Sequence, residues 1–154
     1  MTTLRRFLVL QLLMLWQGGF LFYATFVVPA GTEVLRSAEA QGTITARVTD
    51  SLNGVGAIAL TLMLWEMIAT WNGPKQRVRV AIWLVMVLGQ GILFYLHLEL
   101  DGMMDPDRTF VVRRVSFYPV HRVYLWTSTV QWFAGLVFVW FTLRCWRTEF
   151  KSPR

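Results

Sequence analysis

Four long apolar stretches constrain the fold of this chain more than any other feature of its sequence. They cover about residues 7–28, 52–71, 80–98 and 120–143, and each is close to the ~20 residues that an α-helix needs to cross a ~30 Å hydrocarbon core. Only 16% of the residues are charged and 55% are hydrophobic, whereas soluble domains carry roughly 25% charged residues. The sequence therefore predicts an all-α integral membrane protein, a four-helix bundle in a lipid bilayer, formed by a single domain over residues 1–154.

The basic residues flank these stretches unevenly, which predicts the orientation of the bundle. Nine of the fifteen Lys and Arg residues lie in the N-terminal segment, the second connection and the C-terminal tail, with one acid, Glu149. The other six, and seven of the nine acids, lie in the first and third connections and at the start of the last span. Because cytoplasmic segments carry the positive excess, we expect both termini in the cytoplasm and the protein in the cell inner (plasma) membrane. The same asymmetry explains the net charge of +6, so we expect no nucleic-acid partner.

Several expectations concern the ends of the spans. The first apolar stretch has about 22 residues, too long for the 7–15-residue core of a signal peptide, so we interpret it as a retained helix. Residues 29–50 are predicted as an extramembrane connection that carries a short surface helix. Pro119 is expected in the first turn of the last helix, where its missing N–H costs nothing. The single cysteine, Cys145, excludes an internal disulfide and a multi-cysteine metal cluster.

The two histidines are expected at the same face of the membrane, because one connection joins the third and fourth spans. His97 and Asp101 stand four residues apart, so a continuing helix presents them on one face. His121 enters the fourth span at that membrane face and is predicted as a third metal ligand. The candidates for a fourth ligand are Tyr124, Asp105 and Asp107. Two imidazoles and a carboxylate suit a divalent metal such as zinc, copper or iron. The alternative is that both imidazoles are hydrogen-bonded at the interface to a loop carboxylate or a backbone carbonyl.

A second hypothesis assigns the same histidines to haem b. Four-helix membrane bundles hold such a haem between histidines on facing helices, and a bis-histidine haem would use both His97 and His121. Glycines within the spans, such as Gly89 and Gly135, would admit a flat macrocycle. Glycine in membrane helices more often serves close helix packing.

Glu66 is the one acid well inside a predicted span. At ~1.5 Å per residue it lies about 7–8 Å from the end of that span. Ionisable groups within membranes are costly and tend to face the bundle interior, so one interpretation is proton or cation passage. The other is structural, a bond to Gln11, Thr142 or Arg77. The sequence favours neither.

Three segments carry a resemblance to a known family. They are LWQGGFLFYATFVVPAG in the first span, HLELD at the end of the third, and FYPVHRVYLWTSTVQW at the start of the fourth. Together they resemble a small four-helix membrane family of unknown function that includes the cisplatin-resistance-associated transmembrane protein and is distantly copper-resistance D-like. The resemblance implies a four-helix bundle and a link to metal or metal-drug handling, but no catalytic mechanism. The matching positions are Gly18, Gly19, Pro29, His97, Asp101 and His121.

The chain shows no nucleophile–base pair, phosphate-binding loop or nucleotide fingerprint, so we expect no enzymatic activity. The leading hypothesis is a multi-pass membrane protein that binds or handles a metal ion at its extracytoplasmic rim. One alternative is an electron-transfer subunit that carries haem b. Another is an accessory subunit, in a homo-oligomer or a larger membrane complex, held by small residues on its helix faces.

Overall fold

The computed structural model describes residues 2–105 and 111–151, which form four long helices. α1 spans Thr2–Leu35, α2 Ala38–Ala69, α3 Gln76–Asp101 and α4 Arg114–Lys151. Each is long and apolar enough to cross a membrane. The described residues contain no strand, only an isolated antiparallel bridge in the third connection. The prediction of an all-α membrane four-helix bundle is confirmed.

α1 departs from regular α-helical geometry at two turns. Met14–Gly18 and Tyr23–Val27 are π-helical, so their backbone hydrogen bonds reach five residues along the chain instead of four. The flanking backbone angles stay helical, and the axis continues to Leu35. Within the first wide turn, the carbonyl of Gln17 accepts a hydrogen bond from the indole N–H of Trp132 at 3.3 Å. The turn thus provides a backbone contact from α1 to α4.

The first connection is a two-residue turn, so the prediction of a long connection with its own short helix over residues 29–50 is wrong. Pro29 lies in the first turn of the segment Val28–Leu35, where a missing N–H and a fixed φ are tolerated. The chain reverses at Arg36, which has φ 50°. Ser37 then caps α2, because its Oγ accepts a hydrogen bond from the backbone N–H of Ala40 at 3.2 Å. No proline follows before residue 50, so the helix runs on without interruption.

α4 begins earlier than predicted, at Arg114. Pro119 is therefore the sixth residue of the helix and not a first-turn residue, which corrects that expectation. Its ring leaves the carbonyl of Val115 without the usual helical donor. Val115 is 92% exposed, so water can satisfy that carbonyl and the helix tolerates the proline.

The four helices run alternately up and down, and both termini lie at one end of the bundle. We call this the terminal end, where Arg5 of α1 and Trp146 of α4 both contact Glu66 near the end of α2. The opposite end, which holds the α1–α2 turn and the third connection, is the distal end. α2 packs on α1 and α3, and α3 packs extensively on α4, whereas backbone contacts between α1 and α4 are sparse among the described residues.

The main hydrophobic core fills the terminal half and the middle of the bundle. Met63, Met86 and Phe138 are fully buried there. Gly56 allows close packing beside this core, because a Cβ at that position would lie 2.8 Å from the Trp16 ring and from Oε1 of Gln90. A smaller cluster of Leu93, Leu100 and Tyr124 lies in the distal half. Packing is less complete there, and the distal half contains a cavity.

Candidate metal site and adjoining cavity

Three side chains that can ligate a metal converge near the distal end of the bundle. Nε2 of His97 lies 2.5 Å from Oδ1 of Asp50 and 3.7 Å from Oδ2 of Asp101. One ligand atom from each of the three residues falls within 4.8 Å of the other two. The His97 side chain is 10% exposed, while those of Asp50 and Asp101 are 46% and 20% exposed. The group, which we call the distal triad, therefore has an almost buried imidazole and two carboxylates that water can reach.

The positions of these residues follow from the helix geometry. His97 and Asp101 are one turn apart on α3, as the sequence predicts, and so share a face. Asp50 reaches them from α2, because that helix is already formed at residue 38 and runs antiparallel to α3. The sequence reasoning missed Asp50, since it assigned residue 50 to the end of a loop. The sequence did contain a signal for Asp50 as a ligand. It is an acid directly before the second apolar stretch, on the same side of the membrane as His97.

His121, the third predicted ligand, has a different environment. Its ring stacks on that of Phe117, with centroids 5.6 Å apart and an interplanar angle of 13°. It lines the same cavity as His97 and Asp101 but does not belong to the distal triad. The structure thus brings His97 and Asp101 together and places Asp50, not His121, beside them.

The candidates for a fourth ligand also lie apart from the triad. The hydroxyl of Tyr124 donates to Oδ1 of Asn53 at 3.1 Å, and its ring centroid is 6.4 Å from that of His97. Asp105 lies in the third connection and is not a member of the triad. Asp107 lies outside the described residues.

The donor set of the distal triad fits a divalent ion of borderline softness. One neutral imidazole and two ionised carboxylates supply a nitrogen, two oxygens and two negative charges. The contact between His97 and Asp50 is shorter than the separation of two ligands bound to one ion at about 2.0–2.2 Å each. Asp50 would therefore move outward on binding, and its 46% exposure leaves room for that movement.

The residues fit a bis-histidine haem less well. Such a haem needs one ring nitrogen from each histidine aimed at the same iron. Nε2 of His97 is in contact with Asp50, and His121 is not part of the group of ligand atoms that converges there. Asp50, which the haem hypothesis did not include, is thus the nearer partner of His97.

A cavity of about 580 Å³ lies next to the triad, with walls from all four helices. α1 contributes residues from both π-helical turns, including Trp16 and Tyr23, and α4 contributes Tyr124 and Trp132. Most of the lining surface is apolar. The cavity lies where α1 and α4 have few backbone contacts, which explains why the packing leaves space there.

Amide and hydroxyl groups form a buried polar network beside the cavity. The Gln131 amide nitrogen donates to Oε1 of Gln90 at 3.0 Å, and that of Gln90 donates to the backbone carbonyl of Asn53 at 3.3 Å. Tyr124 completes the network through its bond to the Asn53 side chain. The amide nitrogen of Asn53 is buried without a hydrogen-bond partner in the described structure. One donor in an otherwise satisfied network is therefore open to a guest molecule.

Glu66 lies at the opposite, terminal end of the bundle and is completely buried. Its Oε2 accepts a hydrogen bond from Nε of Arg5 at 2.5 Å, and its Oε1 accepts one from the indole N–H of Trp146 at 2.6 Å. The partners are not the Gln11, Thr142 or Arg77 expected from the sequence. Both carboxylate oxygens are engaged and connect three helices, which favours the structural interpretation of Glu66.

Comparisons with protein-family models, with characterised proteins and with solved structures found no match. The resemblance to the cisplatin-resistance-associated family therefore stays a prediction from motifs.

Proposed function

We propose that this chain is a non-enzymatic, multi-pass protein of the cell inner membrane that binds a divalent metal ion at its extracytoplasmic rim. The convergence of Asp50, His97 and Asp101 from two helices is the observation that carries the proposal. The ion would be held by the imidazole nitrogen and one oxygen from each carboxylate. His121 takes no part in the binding.

The electrostatics of the triad support a divalent ion. Two carboxylates on one side of a nearly buried imidazole repel each other unless a proton or a metal ion lies between them. A divalent cation balances both charges, whereas a protonated imidazole balances one. The absence of a thiolate from the triad disfavours soft Cu(I), and mixed nitrogen and oxygen donors suit Zn²⁺ or Fe²⁺.

The charge distribution supports placing the triad outside the cytoplasm. The terminal end carries the N-terminal arginines and the basic C-terminal tail, which the positive-inside rule assigns to the cytoplasm. The triad lies at the other end of the bundle. A reporter fused after Arg154 should therefore read cytoplasmic, and a periplasmic signal would contradict this part of the proposal.

Metal binding is tested by equilibrium dialysis of the detergent-purified protein against Zn²⁺, followed by elemental analysis. We expect one ion per chain in the wild type. His97→Ala and Asp50→Asn should each weaken binding at least about tenfold, since loss of even an outer-shell partner costs 10–100-fold. His121→Ala is the matched control, and its metal content should equal that of the wild type.

The outcomes distinguish the two ligand sets. Loss of metal in His121→Ala with retention in Asp50→Asn would favour the set predicted from the sequence and refute the distal triad. Equal metal content in all variants would refute metal binding by these residues altogether.

A further inference from the structure

We propose that the distal cavity binds an uncharged, lipid-soluble aromatic molecule that carries a hydrogen-bond-accepting oxygen. This inference does not depend on metal binding at the distal triad. The volume of about 580 Å³ is within the ~300–1,000 Å³ typical of sites for small organic ligands. The mainly apolar lining with a few polar groups is also typical of such sites.

Asn53 supplies the polar end of the site. Its side chain lines the cavity, the residue is 5% exposed, and its amide nitrogen lacks a partner in the described structure. The Tyr124 hydroxyl engages only one of the two polar atoms of this amide. With the oxygen taken by Tyr124, the amide nitrogen is left unsatisfied, and a buried polar group in that state is costly. An accepting oxygen of a bound molecule would satisfy the nitrogen.

Aromatic side chains supply the apolar walls. Trp16 and Tyr23 from α1 and Tyr124 and Trp132 from α4 all line the cavity. Flat rings bury large areas against one another and are attracted in stacked or edge-to-face arrangements. A planar guest therefore matches these walls better than a branched aliphatic one.

The charges around the cavity favour a neutral guest. The described lining residues include no Lys or Arg that could balance an anion. Their one carboxylate, Asp101, lies 3.7 Å from the His97 ring nitrogen and is thus already in a pair. A neutral molecule avoids the cost of moving an unpaired charge out of water.

The architecture keeps the space open. At the edge of the cavity, the Gln17 side chain fills the site beside Gly135, where a Cβ would come within 2.6 Å of its amide nitrogen. Trp132 bonds to the Gln17 carbonyl at the same level. These contacts hold α1 and α4 at a fixed spacing, and the described backbones of the two helices have few other contacts. A lipid-soluble molecule can enter from the bilayer between these helices.

Quenching of tryptophan fluorescence by menadione, a planar two-ring diketone, tests the proposal. With the detergent-purified full chain we expect saturable quenching, because Trp16 and Trp132 line the cavity. Asn53→Ala should weaken binding about tenfold, which corresponds to the loss of one buried hydrogen bond. The matched control is Asn72→Ala, at the exposed asparagine of the α2–α3 connection, which should bind like the wild type. Asp50→Asn, which alters the distal triad at a residue that does not line the cavity, should also bind menadione normally, which separates this site from the metal site.

Two further measurements keep the proposal testable if Asn53→Ala does not fold. Ala46→Phe places a ring in the cavity that Ala46 lines and should abolish saturable quenching. Naphthalene, which has the same two rings without oxygens, should bind about tenfold more weakly than menadione. Quenching that rises without saturation, unchanged binding in Ala46→Phe or Asn53→Ala, or equal binding of naphthalene would each overturn the proposal.

Discussion

Replacing Glu66 by Gln separates the structural interpretation of this residue from a role in proton or cation passage. The substitution keeps the shape of the side chain and one accepting oxygen for the indole of Trp146. It removes the negative charge that faces Arg5 across 2.5 Å. If Glu66 connects the helices at the terminal end, the variant should be clearly less stable than the wild type.

The size of the effect follows from the burial of the two charges. Removing one partner of a buried ion pair costs about 3–5 kcal/mol, because the other charge stays buried. Glu66 has no exposed side-chain surface, while the Arg5 side chain is 13% exposed near the end of the bundle. A long arginine side chain can reach water from such a position. We therefore expect a loss of about 2–4 kcal/mol, about 1 kcal/mol below the range for a fully buried pair.

Thermal unfolding in detergent measures this loss. For a chain of this size, 2–4 kcal/mol corresponds to a decrease in Tm of roughly 5–15 °C. Arg5→Gln/Glu66→Gln should recover part of the stability, because neither charge is left unpaired. Glu99→Gln, at an exposed acid of α3, is the control and should stay within about 0.5 kcal/mol of the wild type. A Glu66→Gln variant as stable as the control, or no recovery in the double variant, would refute the reasoning.

Two other predictions concern packing and metal removal. Gly56→Ala should lower Tm, since its Cβ would lie 2.8 Å from the Trp16 ring and from the Gln90 amide oxygen. Gly91→Ala is the control, because a Cβ there would have no neighbouring atom within 4 Å. It should leave Tm unchanged or raise it slightly. Equal Tm values for the two glycine variants would contradict the close packing of α1, α2 and α3. A chelator should lower the Tm of the Zn²⁺-loaded wild type, because ligand at 100 times its Kd stabilises by about 2.7 kcal/mol, and His97→Ala should show no such response. A chelator effect that persists in His97→Ala would place the metal elsewhere.

Much of the fold could be predicted because a bilayer limits the available structures. Backbone groups in lipid must be hydrogen-bonded internally, so apolar stretches of this length become helices. The same logic placed His97 and Asp101 one turn apart on one face of α3. In the structure, Nε2 of His97 lies 3.7 Å from Oδ2 of Asp101. Helix ends were harder to predict, since Pro29 and Pro119 are tolerated inside helices here. Their acceptance depends on the π-helical turn and on exposed carbonyls, which the pattern of apolar residues does not report.

The composition of the distal triad could not be predicted, because it depends on the register between α2 and α3. Asp50 is brought beside His97 only when α2 starts at residue 38 and packs antiparallel on α3. The sequence places His121 at the same depth, but depth alone does not decide whether its ring joins His97 or stacks on Phe117, one turn earlier on the same helix. That choice is set by local side-chain packing, and the described contacts put the ring on Phe117.

The two ends of the bundle are stabilised in different ways, and the difference argues for binding at the distal end. At the terminal end, Glu66 has both oxygens engaged and Arg79 of α3 donates to Thr70 across the α2–α3 connection, although the hydroxyl of Thr142 is buried there without a hydrogen-bond partner in the described structure. At the distal end, a buried amide lacks a partner and a sizeable space separates α1 from α4. A chain selected for stability alone would gain by filling that space, because each unfilled volume forfeits contacts. A bundle that is closely packed toward one end and leaves a space at the other, beside the unpartnered amide nitrogen of Asn53, is the arrangement expected when the second end holds a ligand that completes its packing.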